Sequence, residues 1–204
     1  MIVDNVEVYG LEQSIKRAKY PMSVDIESLN SELTPGIKKL GNAKRGSGHD
    51  NFLKGIIVQF DLTFTNKAWV EAERYHWFDF ISSQSTMHRI TKFDLDKSYI
   101  EYVDPRVIEI MKEKVEKYNR LFAMKPKTNL SEHNEKLAQA YLEVLYTNPC
   151  GFKLTAGMTT NYQQLKTIYH QRKTHRLPEW HKFCAWIETL PMFKELCLDG
   201  EANE

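Results

Sequence analysis

The chain has 204 residues, 42% of them hydrophobic and 12% aromatic, which is enough apolar surface to bury a core and excludes disorder as the default state. Lys and Arg number 28 against 27 for Asp and Glu, so a formal charge of +1 excludes a global field that gathers nucleic acid or an anionic membrane, and any anion site must be local. The odd set Cys150, Cys184 and Cys197, without Cys-x-x-Cys spacing, argues against a disulfide framework or a structural zinc site and fits a reducing, cytoplasmic compartment.

One domain over residues 1–204 is the economical expectation. The start, Met1 to Tyr9, lacks the basic region and apolar run of a signal peptide, and no window approaches the roughly 18 apolar residues of a membrane span. Val6 to Tyr9 alternates as a short strand, and Leu11 to Lys19 reads as a helix with Leu11, Ile15 and Ala18 on one stripe. Residues 21–48, with two prolines, four glycines and no sustained periodicity, read mainly as a long loop or flap. Its exit, Lys44-Arg45-Gly46-Ser47-Gly48-His49-Asp50, joins basic charge to flexible backbone in a manner suited to a phosphate, although a Walker ending is absent. Ile56 to Phe64 sets Val58, Phe60, Leu62 and Phe64 against Gln59, Asp61 and Thr63, the pattern of a half-buried strand. A short helix capped by Thr65 or Asn66 follows, running to about Tyr75. Asp104-Pro105 opens a long helix with a stripe of Val107, Ile108, Met111, Val115, Tyr118 and Phe122, and a second from Ser131 is expected to bury Leu137, Tyr141, Leu142 and Leu145. After the break at Asn148-Pro149-Cys150-Gly151, an extended segment over 152–160 leads to helices from Asn161 to about Thr174 and from Pro178 to about Cys197.

Two segments carry more polar chemistry than a scaffold requires. Residues 74–89 contain Arg74-Tyr75-His76-Trp77 and then Ser82-Ser83-Gln84-Ser85-Thr86-Met87-His88-Arg89. Guanidinium forks and hydroxyls suit a phosphate, and Gln84 suits the edge of a planar heterocycle; a polar turn with satisfied side chains is the plain alternative. In the second segment Asn161 and Arg172 lie eleven positions apart, close to three helical turns, and so share a face. Lys166, His170, Arg172, Lys173, His175 and Arg176 make this the most basic stretch, which reads either as a phosphate complement or as a solvated face. The spacing of His170, His175 and His181 matches neither a helical zinc pair nor a finger.

Together these segments resemble the paired signatures of flavin-dependent thymidylate synthases. The strand ending at Phe64, Tyr75-His76-Trp77 at the position of an Arg-His-Arg triplet, Ser83-Gln84-Ser85 at the serine loop, and Asn161 to Arg172 at the late helix follow that family's order over roughly residues 46–185. Gly48-His49-Asp50-Asn51-Phe52-Leu53 is similar to the Gly-His-x-Ser stretch before its strand. The resemblance implies an α+β fold, a central mainly antiparallel sheet with packed helices, and a homotetramer with shared sites. It also implies reductive methylation of deoxyuridylate (dUMP) with flavin (FAD), methylenetetrahydrofolate and reduced nicotinamide cofactor (NADPH). Carried over by position, His76, Arg74, Tyr75, Trp77, His49 and Asn161 would meet flavin. Gln84, Ser85, Arg89 and Arg172 would hold the nucleotide, with Arg172 and Ser85 at the reacting centre and Ser85 binding rather than attacking. Arg172→Ala is expected to remove nucleotide binding and leave the fold intact.

The chain departs from that pattern where charge matters. Tyr75 and Trp77 stand at both arginine positions of the triplet, Met87 follows the serine, and Leu177-Pro178-Glu179-Trp180-His181-Lys182 replaces the usual Ala-Gln-Trp-Glu-Ile-Arg. Each lost bidentate arginine removes charged hydrogen bonds of about 1.5–3 kcal/mol. The alternative is therefore a non-catalytic pyrimidine-nucleotide-binding protein that has lost flavin use, with aromatic rings stacking on a base. Nucleic-acid binding through residues 166–176 is disfavoured by the near-zero net charge.

Overall fold

A computed structural model of the chain describes residues 1–44, 46–126 and 128–199. In chain order its elements are β1 (Ile2–Tyr9), α1 (Leu11–Ala18), α2 (Pro35–Gly41), β2 (Ile57–Thr65), α3 (Asn66–Ala72), β3 (Phe78–Ser83) and α4 (Thr86–Arg89). There follow α5 (Pro105–Ala123), α6 (Leu130–Thr147), β4 (Lys153–Asn161), α7 (Tyr162–Arg172), α8 (Pro178–Ile187) and α9 (Phe193–Cys197). The four strands form one antiparallel sheet in the order β1-β2-β4-β3, so the α+β class with a central antiparallel sheet holds. Register between β2 and β4 is fixed at both ends: the Tyr162 N–H donates to the Ile56 carbonyl at 3.0 Å, and the Thr63 and Thr155 hydroxyls lie 2.7 Å apart.

Two compact units partition the chain. The first comprises Met1–Leu62, Val70–Ser82 and the stretch from Ala156 onward; the second comprises Thr63–Trp69 and Ser83–Thr155. In the first unit the alternation along β2 buries Val58, Phe60 and Leu62 while Gln59 stays exposed. Around Phe60 gathers an aromatic core: its ring centroid lies 6.2 Å from Phe78, 6.1 Å from Phe183 and 4.7 Å from Trp186. Trp180 extends this core, 5.8 Å from Phe183. Such tilted and edge-on pairs add to the area term of burial.

In the second unit Asp104 caps α5, accepting from the Arg106 N–H at 2.9 Å, with Pro105 at the first helical position. Here Met111, Val144, Phe152, Tyr99, Ile90 and Leu95 form a buried cluster. Gly151 lies where any Cβ would run into the Val103 side chain, which explains the glycine after the Asn148-Pro149 break. Thr65 does cap α3, its hydroxyl accepting from the Ala68 N–H at 3.2 Å.

Four expectations are corrected. Residues 21–48 contain α2, capped by the Thr34 hydroxyl and opened by Pro35; two glycines in its seven residues hid it, and one of them, Gly41, lies so close to the Leu196 carbonyl that no Cβ fits. Residues 74–89, with a polar turn as their plain alternative, hold edge strand β3 and the single turn α4, with Gln84 and Ser85 in a short connection between them. Only Phe78 of β3 is buried, so no alternation marks it. The helix expected from Pro178 to Cys197 breaks into α8 and α9 around Pro191 and a left-handed Met192 at φ 55°. On the long helices, Phe122 and Leu142 are exposed, and α6 turns Ala140 and Val144 inward instead.

Candidate functional site

Asn161 ends β4 and caps α7, its Oδ1 accepting from the Gln164 N–H at 2.9 Å. The strand-to-helix junction opens on a cleft of about 390 Å³ within the first unit, lined in part by Lys54, His76, Trp77, Asn161, Gln163 and Gln164. Sites for small molecules typically occupy about 300–1,000 Å³. His76 and Trp77 are exposed, and Trp77 adopts φ 60°, a left-handed backbone that a bulky side chain rarely takes. Its carbonyl is held by the Thr160 hydroxyl at 2.6 Å, which keeps the strained turn in place. A smaller cavity of about 140 Å³ shares Trp77 and Asn161 and adds Asp79 and Thr159.

Gly46, Gly48, Asp50, Asn51 and Lys54 supply another part of the lining, and a buried ion pair secures it. Lys166, only 4% exposed, donates to the Gly41 carbonyl at 2.8 Å, the Ala43 carbonyl at 2.9 Å and Asp50 at 3.2 Å. Asp50 is 1% exposed and also accepts from the Gln163 amide at 2.9 Å. Lys166 is thus an internal clamp rather than part of a solvated or phosphate-binding face. Sequence reading missed Asp50, Gln163 and this use of Lys166; the lysine at a buried register of α7, between Leu165 and Ile168, was the available signal. Arg45, part of the expected phosphate cradle, lies outside the described residues. His49 is exposed and lines a different cavity with Lys38, Lys39, Leu40 and Asp199.

Tyr75 and Arg172 meet, but in the interior. Arg172 is 3% exposed; its Nε donates to the Tyr75 hydroxyl at 2.7 Å, Nη1 to the Glu71 carboxylate at 2.9 Å and Nη2 to the Glu71 carbonyl at 3.1 Å. Its guanidinium carbon also stands 4.6 Å from the Trp180 ring centroid. The Tyr75 hydroxyl in turn donates to Gln171 at 3.2 Å. Both groups are turned toward each other inside the protein, so the expectation that Arg172 can be removed without cost to the fold is corrected. Arg74 is exposed in the turn after α3.

Gln84, Ser85 and Arg89 belong to the second unit. Gln84 is zipped to β4, its N–H donating to the Thr155 carbonyl at 2.9 Å and its Oε1 accepting from the Thr155 N–H at 3.0 Å. Ser85 precedes α4 without a side-chain cap bond, and exposed Arg89 ends that single turn. This brings a hydroxyl, an amide N–H₂ and a guanidinium onto one short surface segment. Among the described residues no group of three His, Cys, Asp or Glu side chains is placed to hold a metal ion, and no helix is long and apolar enough to cross a membrane.

No family model and no curated protein sequence matches the chain. Solved structures do. The flavin-dependent thymidylate synthase ThyX from Helicobacter pylori, complexed with FAD and dUMP, superposes with a TM-score of 0.68 at 17% identity, covering 98% of this chain and 99% of that one. A second structure of the Helicobacter pylori enzyme with FAD and dUMP gives 0.69 at 16% identity with the same coverage. At such identity the likeness concerns the fold: this chain has the fold of the flavin-dependent thymidylate synthases.

Proposed function

We propose that this chain, built on the fold of the flavin-dependent thymidylate synthases, binds a pyrimidine nucleotide in the first unit's cleft. One observation carries the reading: a strained, exposed Trp77 is held beside His76, Asn161, Gln163 and Lys54 in a single concavity. An indole face offers stacking, the amides offer an edge for a base, and the Lys54 ammonium offers a partner for phosphate. Backbone strain retained at such a place is the kind found at ligand sites. The fit to flavin is partial. Planar surface and amides are present, whereas Tyr75 and Trp77 bring no positive charge to the two arginine positions.

A second reading is flavin-dependent methylation of deoxyuridylate with methylenetetrahydrofolate and NADPH as co-substrates. It is favoured by the coverage, since both Helicobacter pylori structures hold FAD and dUMP and align over 98% of this chain. Flavin, where bound, would supply the hydride chemistry. The chain's own part would be to bind and orient: Gln84, Ser85 and Arg89 on the nucleotide, His76, Trp77 and Asn161 on the flavin, and Arg172 acting from within by holding Tyr75 and the end of α7. In either reading we propose a homo-oligomer, a tetramer by the resemblance. Leu142 and Tyr146, one turn apart on α6, are 50% and 87% exposed and are candidates for a subunit contact.

The test is the colour and melting behaviour of the purified protein. A colourless preparation stabilised by deoxyuridylate, by about 2.7 kcal/mol at a hundredfold excess over Kd, with the effect lost in Trp77→Ala, supports nucleotide binding alone. A yellow preparation that forms deoxythymidylate supports the enzyme. Absence of any stabilisation by pyrimidine nucleotides or flavin sinks both.

A further inference from the structure

The turn that carries Ser85 and Arg89 is too short to hold itself. α4 has four residues, and ordering a lone helical turn costs more than its hydrogen bonding returns, while its closing carbonyls have no donor within the turn. The rest of the second unit supplies what is missing. Gln84 fixes the entry through its paired bonds to Thr155, the Arg89 N–H donates to the Ser85 carbonyl at 3.0 Å, and fully buried Ile90 pins the exit. Between these anchors the Met87 carbonyl accepts from the hydroxyl of Tyr141 on α6, 2.7 Å away and 54 positions on in sequence. That hydroxyl is itself held in place. The half-buried Tyr141 ring lies 4.9 Å from the Tyr118 ring of α5 and packs on the cluster around Met111 and Val144. Lys114 and Lys117 of α5 both reach Glu143 of α6, at 3.4 and 3.0 Å, and so tie the two helices together beside it. By contrast, the Ser85 hydroxyl and the Arg89 guanidinium have no partner among the described residues. The turn is fastened through its backbone and its polar side chains are left for use.

From this arrangement we infer that Tyr141 is a positioning residue: by holding the Met87 carbonyl, its hydroxyl fixes the α4 turn in the orientation that presents Ser85 and Arg89 to an anionic nucleotide. The inference rests on the reading in which those two side chains meet deoxyuridylate, and it adds the residue that aims them. Position 87 is used through its backbone, and the Met87 side chain stays 60% exposed. Without the Tyr141 bond the turn samples other arrangements, and a ligand must then order it at the expense of its own affinity.

The experiment titrates deoxyuridylate into the full chain as wild type, Tyr141→Phe, Arg89→Ala and the double variant, and follows amide hydrogen exchange without ligand. Tyr141→Phe keeps the ring and its packing on Tyr118 and removes only the donor. Its affinity should fall by a factor between about two and ten, the range of one lost neutral hydrogen bond. Exchange should quicken at the Arg89 and Ile90 amides and stay unchanged at the Val144 amide of α6, since the loss is local to the turn. In the Arg89→Ala background the effect of Tyr141→Phe should shrink, because one of the side chains that it aims is gone. A merely structural role gives the opposite signature: exchange rises at Val144 as well and the two losses add in full, which overturns the assignment. Tyr141→Phe with wild-type affinity, where Arg89→Ala weakens binding, overturns the positioning role and leaves the nucleotide on the turn. Deoxyuridylate binding that ignores both substitutions overturns the inference and leaves nucleotide binding elsewhere in the protein standing. Failure of the wild-type protein to bind deoxyuridylate overturns the inference and the reading beneath it together.

Discussion

Burying a guanidinium is expensive unless its N–H groups find acceptors, and Arg172 meets that condition with the Tyr75 hydroxyl, both oxygens of Glu71 it contacts, and the face of Trp180. The spacing from Asn161 correctly put both residues on α7, but spacing says nothing about which side chain has protein in front of it. Tyr75, occupying an arginine position of the resembled triplet, is what closes the cage. Removing one partner of a buried pair costs about 3–5 kcal/mol. Arg172→Ala should therefore lower stability by that amount in urea unfolding whether or not ligand is present; a loss under about 1 kcal/mol would return Arg172 to the surface role.

At the scale of elements, α7 organises the first unit. Its N-terminus caps on Asn161, its middle sends Lys166 to the carbonyls of Gly41 and Ala43, and its end delivers Arg172 to the turn after α3. The second support of the 41–50 segment is steric. Gly41 ends α2 against the Leu196 carbonyl of α9, an approach that only a glycine permits. Gly41→Ala should push α2 off α9 and cost about 1–3 kcal/mol, as overpacked sites do. Because Gly46, Gly48 and Asp50, which follow α2 in sequence, line the cleft, the same substitution should also weaken ligand binding. Thermal melting together with a binding isotherm checks both, and an unaltered melting temperature would show that α2 and α9 do not meet so closely.

For the whole molecule, burial holds protons on groups that would otherwise release them. It pushes the Cys184 thiol up to about 12 from an ordinary value of 9.0, and the Tyr99 hydroxyl up to about 12 from 10.0. Cys197 and Tyr162 shift in the same direction for the same reason. The unfolded chain loses these protons at their ordinary values while the folded chain keeps them. The contribution of these groups is accordingly full below about pH 9 and falls as pH rises toward about 12. A melting series across that window should show the decline, and Cys184→Ala should flatten part of it. A melting temperature independent of pH from 9 to 11 would contradict the burial of these groups. Cys150, the exposed cysteine, should be the one thiol that a water-soluble reagent titrates in the native protein.

Much of the architecture was legible because it is written in local chemistry. The alternation along β2, the Thr65 and Asp104 caps, Pro105 at the start of α5 and the cap at Asn161 each satisfy backbone groups within a few residues, and such signals survive in any tertiary context. The order of the polar segments likewise pointed to the fold later shared with ThyX. What the tertiary structure decided was the destination of charge and the existence of weak elements. Lys166 and Arg172 look like surface cations until their partners, more than 95 positions away in sequence, are brought beside them. Glycine-bearing α2 has little helical preference of its own and forms because neighbours pack on it, while edge strand β3 has strand-forming Phe78, Phe80 and Ile81 but no alternation of burial to mark it. The orientation of the Gln163 amide belongs to the same class: a residue's chemistry is local, but the direction in which it is presented depends on a carboxylate 113 positions distant.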